Sequence, residues 1–397
     1  MPDIQKFNTG TDSTYGENLE LHASIRRGIA ASNAERNFRQ LTIQKPLTRN
    51  SGKKLKIWRK LHTYDRALSD PDFGAKGFLT SRDLETFTND IIANSGLNEA
   101  DGRKNIIGIT NMVIEAEVKR FGKMIPYSDE VDLFSSTYNS KDFREELGYY
   151  MGELYEDLVQ GDMLSTSNVL YPSIATSMAT IGDGVAADGT TDGVYKLDYE
   201  FLKRCVAKLL RNRVKKHTEM ITGSTAVNTK PVNDAYYCVI PQQLIGDIQE
   251  IIRVSSNDKE TQFAFVPVSE YPASQQAKAA KGEIGRIGEV AFISSERMFI
   301  YAGKGADVPA GYTGRLSNTN GKFDVFPILF VGVGAFATVG LMGRENIVYH
   351  SRTPEQAISN ENPYGTNGFH SANFWYGGMI VKEEAILKGL VLGSSTN

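Results

Sequence analysis

Cysteine and histidine are both scarce in this chain of 397 residues, which has two cysteines, Cys205 and Cys238, and five histidines. Two cysteines make neither a disulfide framework nor a zinc cluster, which indicates a reducing, cytosolic site of folding. No two histidines have the helical spacing of a zinc pair, and no Gly-x-Ser-x-Gly nucleophile elbow is present. The sequence therefore predicts no metal, no cofactor and no catalytic residues.

Neither sign of charge dominates, since 44 Lys and Arg oppose 47 Asp and Glu to give a net charge of −3. That balance gives no support to a nucleic-acid binder or a membrane-surface protein. The N-terminus has no apolar stretch after a basic start, so no signal peptide is expected. The uncharged stretch Val325 to Gly343 is about long enough to cross a bilayer, but Pro327 and several glycines favour one or two buried strands instead.

Residues 1–48 are predicted to form an N-terminal arm. Residues 1–16 are polar, and a helix with few apolar anchors is expected over Glu17 to Leu41. Such an arm has little hydrophobic core of its own. We expect it to be disordered or to lie across another subunit.

Residues 49–120 are predicted to form a long hairpin. Basic and apolar residues alternate roughly from Lys54 to Arg59, as in a half-exposed strand, and Ile106 to Val118 is the expected partner strand. Because a two-stranded ribbon alone is marginal in water, we expect this one to lie on a neighbouring subunit. We predict inter-subunit contacts at Lys54, Lys56, Arg59, Glu115 and Glu117, and a solvated charged face is the alternative.

The clearest helix is predicted over Asn139 to Met163, with Asn139 as its cap and Gly161 as its end. Its apolar residues recur at steps of three and four and so share one face: Phe143, Leu147, Met151, Leu154 and Leu158. On pattern alone, an ordinary core helix of an α/β enzyme is an equally good interpretation.

A second helix is predicted over Asp198 to Lys216. Its apolar stripe is Phe201, Leu202, Val206, Leu209 and Leu210, and its other side is strongly basic. Arg204, Arg211 and Lys215 are the residues that we predict to face DNA, weakly and without sequence readout. A solvated helix face is the alternative interpretation of these charges.

Two other functions remain open at this point. Gly332 to Ala337 matches the dinucleotide turn Gly-x-Gly-x-x-Ala, which would make the protein an NAD-type oxidoreductase. That motif needs a helix behind it, and Gly340 and Gly343 interrupt any helix there. A DNA-binding structural protein that uses the basic helix is the other alternative.

The stretch Lys281 to Arg297 reads Lys-Gly-Glu-Ile-Gly-Arg-Ile-Gly-Glu-Val-Ala-Phe-Ile-Ser-Ser-Glu-Arg. Gly282, Gly285 and Gly288 predict a tight, backbone-close turn, and Val290 to Ile293 a buried strand. The stretch resembles a signature of the major capsid proteins of N4-like tailed phages. Further stretches are similar to the same group in the same order: Lys45 to Leu47 with Gly52 and Lys53, Tyr237 to Pro241, Asp324 to Leu329 with Gly334 to Phe336, and Pro363 to Phe369 with Phe374 to Gly377 and Ile380 to Leu387.

The resemblance implies an α+β protein with the HK97-type phage capsid fold. It implies an N-terminal arm (1–48), an extended β-hairpin loop (49–120), a peripheral domain with a long spine helix (121–170), an axial domain (171–330) and return strands (331–397).

The implied function is structural: self-assembly, as hexamers and pentamers, into an icosahedral head shell around phage double-stranded DNA. Portal, scaffold and decoration proteins are the further partners implied, and no membrane is expected. The implied location is the virion capsid, after synthesis in the host cytoplasm.

Overall fold

The computed structural model describes residues 37–48, 50, 52–60, 84, 88, 97, 111–134, 140–218, 233–254, 261–272, 279–342 and 347–394. The predicted arm before Asn37 and the tip of the predicted hairpin lie outside these ranges. The helices are α1 Asp129–Phe134, α2 Ser140–Leu164, α3 Tyr199–Arg211 and α4 Ile245–Gln249. The strands are β1 Ile43–Leu47, β2 Lys54–Lys60, β3 Asn111–Glu117, β4 Lys119–Ser128, β5 Val169–Leu170, β6 Tyr236–Pro241, β7 Ile252–Val254, β8 Thr261–Phe263, β9 Phe265–Pro267, β10 Glu283–Ile287, β11 Val290–Ser295, β12 Asn318–Thr319, β13 Lys322–Phe323, β14 Val325–Val331, β15 Phe336–Leu341, β16 Val348–Arg352, β17 Asn367–Ile380 and β18 Ile386–Leu392. The predicted α+β class is confirmed.

Sheet A is built around the long strand β17. The first part of β17 pairs antiparallel with β4 on one side and with β16 on the other. Its last residues pair with β15, and β1 adds to β15 in parallel. Alternate residues of β17 are buried, which gives the sheet one face towards the core and one away from it.

Sheet B has the strand order β5-β18-β14-β6-β11-β10-β9. Every residue of β14 is buried, as expected for an apolar run inside a sheet. Pro327 lies opposite Leu390 of β18, and on the other side the pairing of β14 with β6 begins only at Leu329. Pro327 is therefore tolerated, because it has no ladder partner on the β6 side. The prediction of buried strands for Val325 to Gly343 is confirmed by β14 and β15. Among the described residues, no helix is long and apolar enough to cross a membrane.

The helix α2 lies between the two sheets. Leu147 and Met151 of the predicted stripe are buried, and Leu154 and Leu158 pack partly buried against the same cluster. The cluster contains side chains from both sheets: Ala372, Phe374 and Tyr376 from sheet A, and Val239, Ile293, Leu329 and Ile386 from sheet B. One helix therefore supplies core to both sheets.

The predicted end of this helix at Gly161 is wrong, since α2 continues to Leu164. Met163 and Leu164 are buried beyond the glycine, so their packing outweighs its weak helix propensity. Just past the end of α2, Thr166 Oγ1 and Ser167 N donate to the carboxylate of Glu383 (2.8 and 2.6 Å). The predicted cap, Asn139, lies outside the described residues.

The helix α3 is shorter than predicted. It begins after Asp198, whose Oδ1 accepts from Phe201 N (2.7 Å), and it ends at Arg211 rather than Lys216. Arg213 has a left-handed φ of 53°, so the chain leaves the helix there. Cys205 takes the buried place that was predicted for Leu210, which is exposed.

Replacing Gly161 with alanine should raise the free energy of unfolding by about 0.5–1 kcal/mol, because glycine in a helix interior loses more backbone entropy than alanine. A Cβ at this position meets nothing within 4 Å. Urea denaturation measures the change. Gly285→Ala is the control of opposite sign, since a Cβ there would overlap the Phe265 ring and the Val266 carbonyl oxygen. Destabilisation by Gly161→Ala would contradict the expectation.

Candidate assembly surfaces

The predicted hairpin is present as a ribbon formed by β2 and β3. The two strands are antiparallel, with Lys54 opposite Glu117 and Lys60 opposite Asn111. Leu55, Ile57 and Ile114 point to the inner face, where they pack on a cluster formed by residues of β1, β3, β15 and β17. The base of the ribbon thus covers part of sheet A on the side away from α2.

The outer face of the ribbon is exposed and mostly charged. It consists of Lys54, Lys56, Trp58 and Lys60 from β2, and Asn111, Val113, Glu115 and Glu117 from β3. Lys56 Nζ lies 2.7 Å from Glu115 Oε1, with side chains that are 57% and 42% exposed. The hydrogen bond and the charge of Lys56 lower the pKa of Glu115. An ion pair this exposed contributes little to folding.

Trp58 interrupts the charged outer face. It is 69% exposed, and Val113, directly opposite on β3, is 41% exposed. A tryptophan is the side chain that gains most from leaving water, and exposed apolar pairs framed by charge are typical of binding surfaces. Alternation alone could have placed Trp58 on the basic face, because it shares strand parity with Lys54, Lys56 and Lys60.

Arg59 lies on the inner face and has its partner in its own chain. Its Nη1 donates to Glu384 Oε2 (3.0 Å), and its Nη2 donates to Glu384 Oε1. The Arg59 and Glu384 side chains are only 18% and 8% exposed. Arg59, which we predicted to contact a neighbouring subunit, therefore holds the ribbon on its own subunit. Contacts with a neighbour stay a prediction for Lys54, Lys56, Glu115 and Glu117.

The turn that carries Glu384, residues 382–385, connects many parts of the chain. Glu383 receives the end of α2, and the Glu384 carbonyl accepts from Asn212 Nδ2, just past α3 (3.2 Å). The Ala385 carbonyl accepts from Gly332 N (2.8 Å). We call these residues the hub turn. The orientation of the ribbon is thus set by contacts that also fix both helices.

The base of the predicted arm is anchored at Asn37 to Leu41. Phe38 is buried in the cluster around α2, and its N–H donates to Glu156 Oε2 on α2 (2.9 Å). Asn37 Nδ2 donates to the Ser294 carbonyl (3.0 Å), and Gln40 pairs through its amide with the backbone of Lys281 (2.9 and 3.1 Å). The base of the predicted arm is therefore anchored beside the glycine-rich stretch.

The glycine-rich stretch forms two turns around a strand rather than the single tight turn predicted. Gly282 and Gly288 have left-handed φ values of 79° and 56°, and β10 runs between them. Gly285 lies inside β10, where the close approach of Phe265 and Val266, not a left-handed φ, requires glycine. The predicted buried strand after the turn is confirmed by β11.

The Glu and Arg of the same stretch form a buried ion pair. Arg286 Nε donates to Glu283 Oε1 (3.0 Å), and Tyr271 Oη donates to the same oxygen (3.1 Å). Arg286 Nη1 also donates to Thr218 Oγ1 and to the Asn233 carbonyl (3.2 and 3.0 Å). Burial and the charge of Glu283 raise the pKa of Tyr271. This network joins distant segments, so its role is structural.

The basic surface of α3 is smaller than the sequence predicted. Arg204 and Arg211 are exposed seven residues apart on α3, and Lys215 is exposed just after it. Lys208 instead donates to the Val169 carbonyl (3.2 Å), and burial lowers its pKa. Lys216 lies 3.0 Å from carboxylate oxygens of both Asp234 and Glu289. Arg204, Arg211 and Lys215 are therefore exposed, whereas Lys208 and Lys216 have partners within the chain.

The oxidoreductase alternative is wrong. Gly332 to Ala337 runs directly into β15, which begins at Phe336, rather than into a helix, and it connects strands of two different sheets. A dinucleotide turn requires a helix whose N-terminus receives the pyrophosphate. Within the described ranges, no group of three His, Cys, Asp or Glu side chains is placed to hold a metal ion.

Arg59→Met should lower the free energy of unfolding by about 3–5 kcal/mol, because it leaves the Glu384 carboxylate buried without its partner. Lys56→Met is the matched control. It removes a cation from the same strand, but from an exposed pair, so little change is expected. Urea denaturation compares the two variants. Equal effects would contradict the assignment of Arg59 as the anchor of the ribbon.

No family model matches the sequence. The chain is 26% identical over 392 residues to the "Major capsid protein" of Pseudomonas phage KPP21, covering 95% of this chain and 94% of that protein. Its fold matches the capsid of Ralstonia phage GP4 with a TM-score of 0.51 at 11% identity, covering 89% of this chain and 88% of the other. The capsid of cyanophage Pam1 gives a TM-score of 0.48 at 11% identity, covering 100% and 98%. The chain therefore has the HK97-type phage capsid fold and is similar over nearly its whole length to a phage major capsid protein.

Proposed function

We propose that this protein assembles with copies of itself, as hexamers and pentamers, into the icosahedral head shell of a tailed phage. The shell encloses double-stranded DNA, and the protein resides in the virion after synthesis in the host cytoplasm. Portal, scaffold and decoration proteins are its further candidate partners, and the N4-like group is its proposed origin. The full-length similarity and the capsid fold support this function, and the exposed Trp58 on the ribbon is the observation that carries it.

The ribbon supports assembly because its two faces differ. Its inner face is packed on its own body and fixed by Arg59, whereas its outer face leaves Trp58 and Val113 in water. Burying one large apolar side chain is worth about 1.5–3 kcal/mol. A single contact of that size does not hold two subunits together, but a closed shell repeats it in every copy. We infer that Trp58 is the apolar anchor of the ribbon on a neighbouring subunit, framed by the charges of Lys56 and Glu115.

The two sheets support the proposed division of the chain. Sheet A with α2 corresponds to the peripheral domain at 121–170 plus most of the return strands at 331–397. Sheet B with α3 corresponds to the axial domain at 171–330, and β18 returns to it. In this proposal the arm (1–48) and the extended loop (49–120) leave the body at two anchored points, Phe38 and Arg59.

Trp58→Ser should leave the subunit folded and prevent shell formation, because the side chain is exposed in the subunit and is proposed to be buried in the shell. Negative-stain electron microscopy and sedimentation of the purified protein measure the yield of shells. Lys60→Ser is the control on the same strand and the same face, and it should assemble normally. If Trp58→Ser forms as many shells as the unaltered protein, Trp58 is not the anchor.

We also propose that Arg204, Arg211 and Lys215 meet the packaged DNA through its phosphates, without reading its sequence. The logarithm of the affinity for DNA falls linearly with the logarithm of the salt concentration. In the variant Arg204→Ser/Arg211→Ser this dependence should be less steep, by about 0.9 for each phosphate that is no longer neutralised. Binding of short duplexes across a salt series measures it. Lys304→Ser/Lys322→Ser removes the same charge from exposed loop and strand positions elsewhere, and equal slopes for the two variants would contradict a DNA-facing role for α3.

A further inference from the structure

His370 occupies a buried polar site between α2 and sheet A. It lies on the core-facing side of β17 and is 1% exposed. Its Nδ1 is 3.2 Å from Arg144 Nε on α2 and 2.8 Å from Ser351 Oγ on β16, opposite it in the sheet. Arg144 Nη2 also donates to Ser351 Oγ (2.9 Å), which closes a triangle of three side chains from three elements.

The triangle requires a neutral histidine. A guanidinium only donates hydrogen bonds, so Nδ1 must offer its lone pair to Arg144, and the ring proton must be on Nε2. Ser351 Oγ accepts from Arg144 and donates to the same lone pair. Tyr127 of β4 stacks on the ring, with centroids 5.0 Å apart and planes 13° apart. The ring therefore contacts a guanidinium from α2, a phenol from β4 and a hydroxyl from β16.

A second proton on the ring would place two cations 3.2 Å apart in a buried site, each able only to donate. The strain is relieved if Arg144 moves away together with its turn of α2. We propose that Arg144, His370 and Ser351 form an acid-sensitive latch that holds the first turns of α2 on β16 and β17 and opens when His370 is protonated. This device is independent of whether the proposed shell forms.

The direction of the pH dependence follows from the site. Burial first, and the charge of Arg144 second, lower the pKa of His370 from 6.5 to about 4. With the latch open, the ring returns towards its ordinary pKa, so between pH 6.5 and 4 the open form binds more protons than the closed one. The closed form is fully favoured above pH 6.5, and its advantage falls by up to about tenfold for each pH unit below it.

The loosening should be local. Leu147 and Met151 follow Arg144 on α2 and are buried in the core, and Val159 and Met163 hold the far half of the helix. Phe143, whose ring centroid lies 6.1 Å from that of Tyr127, belongs to the same turn as Arg144 and should move with it. Acid should therefore open the start of α2 while its second half stays in place.

Amide hydrogen exchange of the full chain at pH 7 and pH 5, corrected for the intrinsic rate at each pH, tests the latch. In the unaltered protein, protection over residues 143–147 should fall by up to roughly 30-fold at pH 5, while residues 155–163 keep theirs. His370→Asn keeps an acceptor near the place of Nδ1 but cannot be protonated, so its protection should not change with pH. His350→Asn is the matched control, an exposed histidine on β16, and it should behave like the unaltered protein.

Unchanged protection in the unaltered protein at pH 5, or an acid effect that survives in His370→Asn, would overturn the latch. If His370→Asn does not fold, Arg144→Gln replaces it. A glutamine amide donates to the neutral ring and accepts from the protonated one, while burial of the ring is unchanged, so the acid effect should become smaller than in the unaltered protein. An acid effect of unchanged size in Arg144→Gln would equally rule out the proposed triangle.

Discussion

Burial of α2 between two sheets is the constraint on which the rest of this structure depends. Each sheet presents an apolar face, and neither can leave that face in water. Because Met151 and Met163 contact a cluster that includes strands of both sheets, the two sheets cannot move apart without exposing it. The arm uses the same helix, since Phe38 enters this cluster and donates to Glu156. A single helix thus organises the body and the point where the arm leaves it.

The hub turn has the corresponding role for the ribbon. A ribbon of two strands buries too little to set its own direction, so its orientation must come from contacts at its base. The pair formed by Arg59 and Glu384 supplies such a contact, nearly out of water and with two hydrogen bonds. The same turn receives the segments that follow α2 and α3, so the ribbon and both helices are anchored at one place.

Local pattern predicted the elements well and their partners poorly. Steps of three and four found α2, and alternation found β2 with β3, because periodicity depends only on neighbouring residues. The pair of Arg59 with Glu384 joins positions 325 residues apart, and no local signal links them. The prediction that α2 ends at Gly161 was wrong for the same reason. The helix continues because Met163 and Leu164 are buried, and that burial is a tertiary effect. Glu156 accepts from the base of the arm, and no local pattern around it indicates that contact.

The distribution of charge separates what holds the subunit from what remains for a partner. Arg59, Arg286 and Lys216 each pair with a carboxylate within their own chain, so their charges are already used inside the subunit. What is left on the ribbon is a weak surface, one exposed tryptophan and valine among solvated ion pairs. Weak contacts suit a closed assembly, because subunits that bind wrongly can leave before many contacts lock them in place. In the proposed shell, stability would therefore come from many repeated weak contacts rather than from a few strong ones.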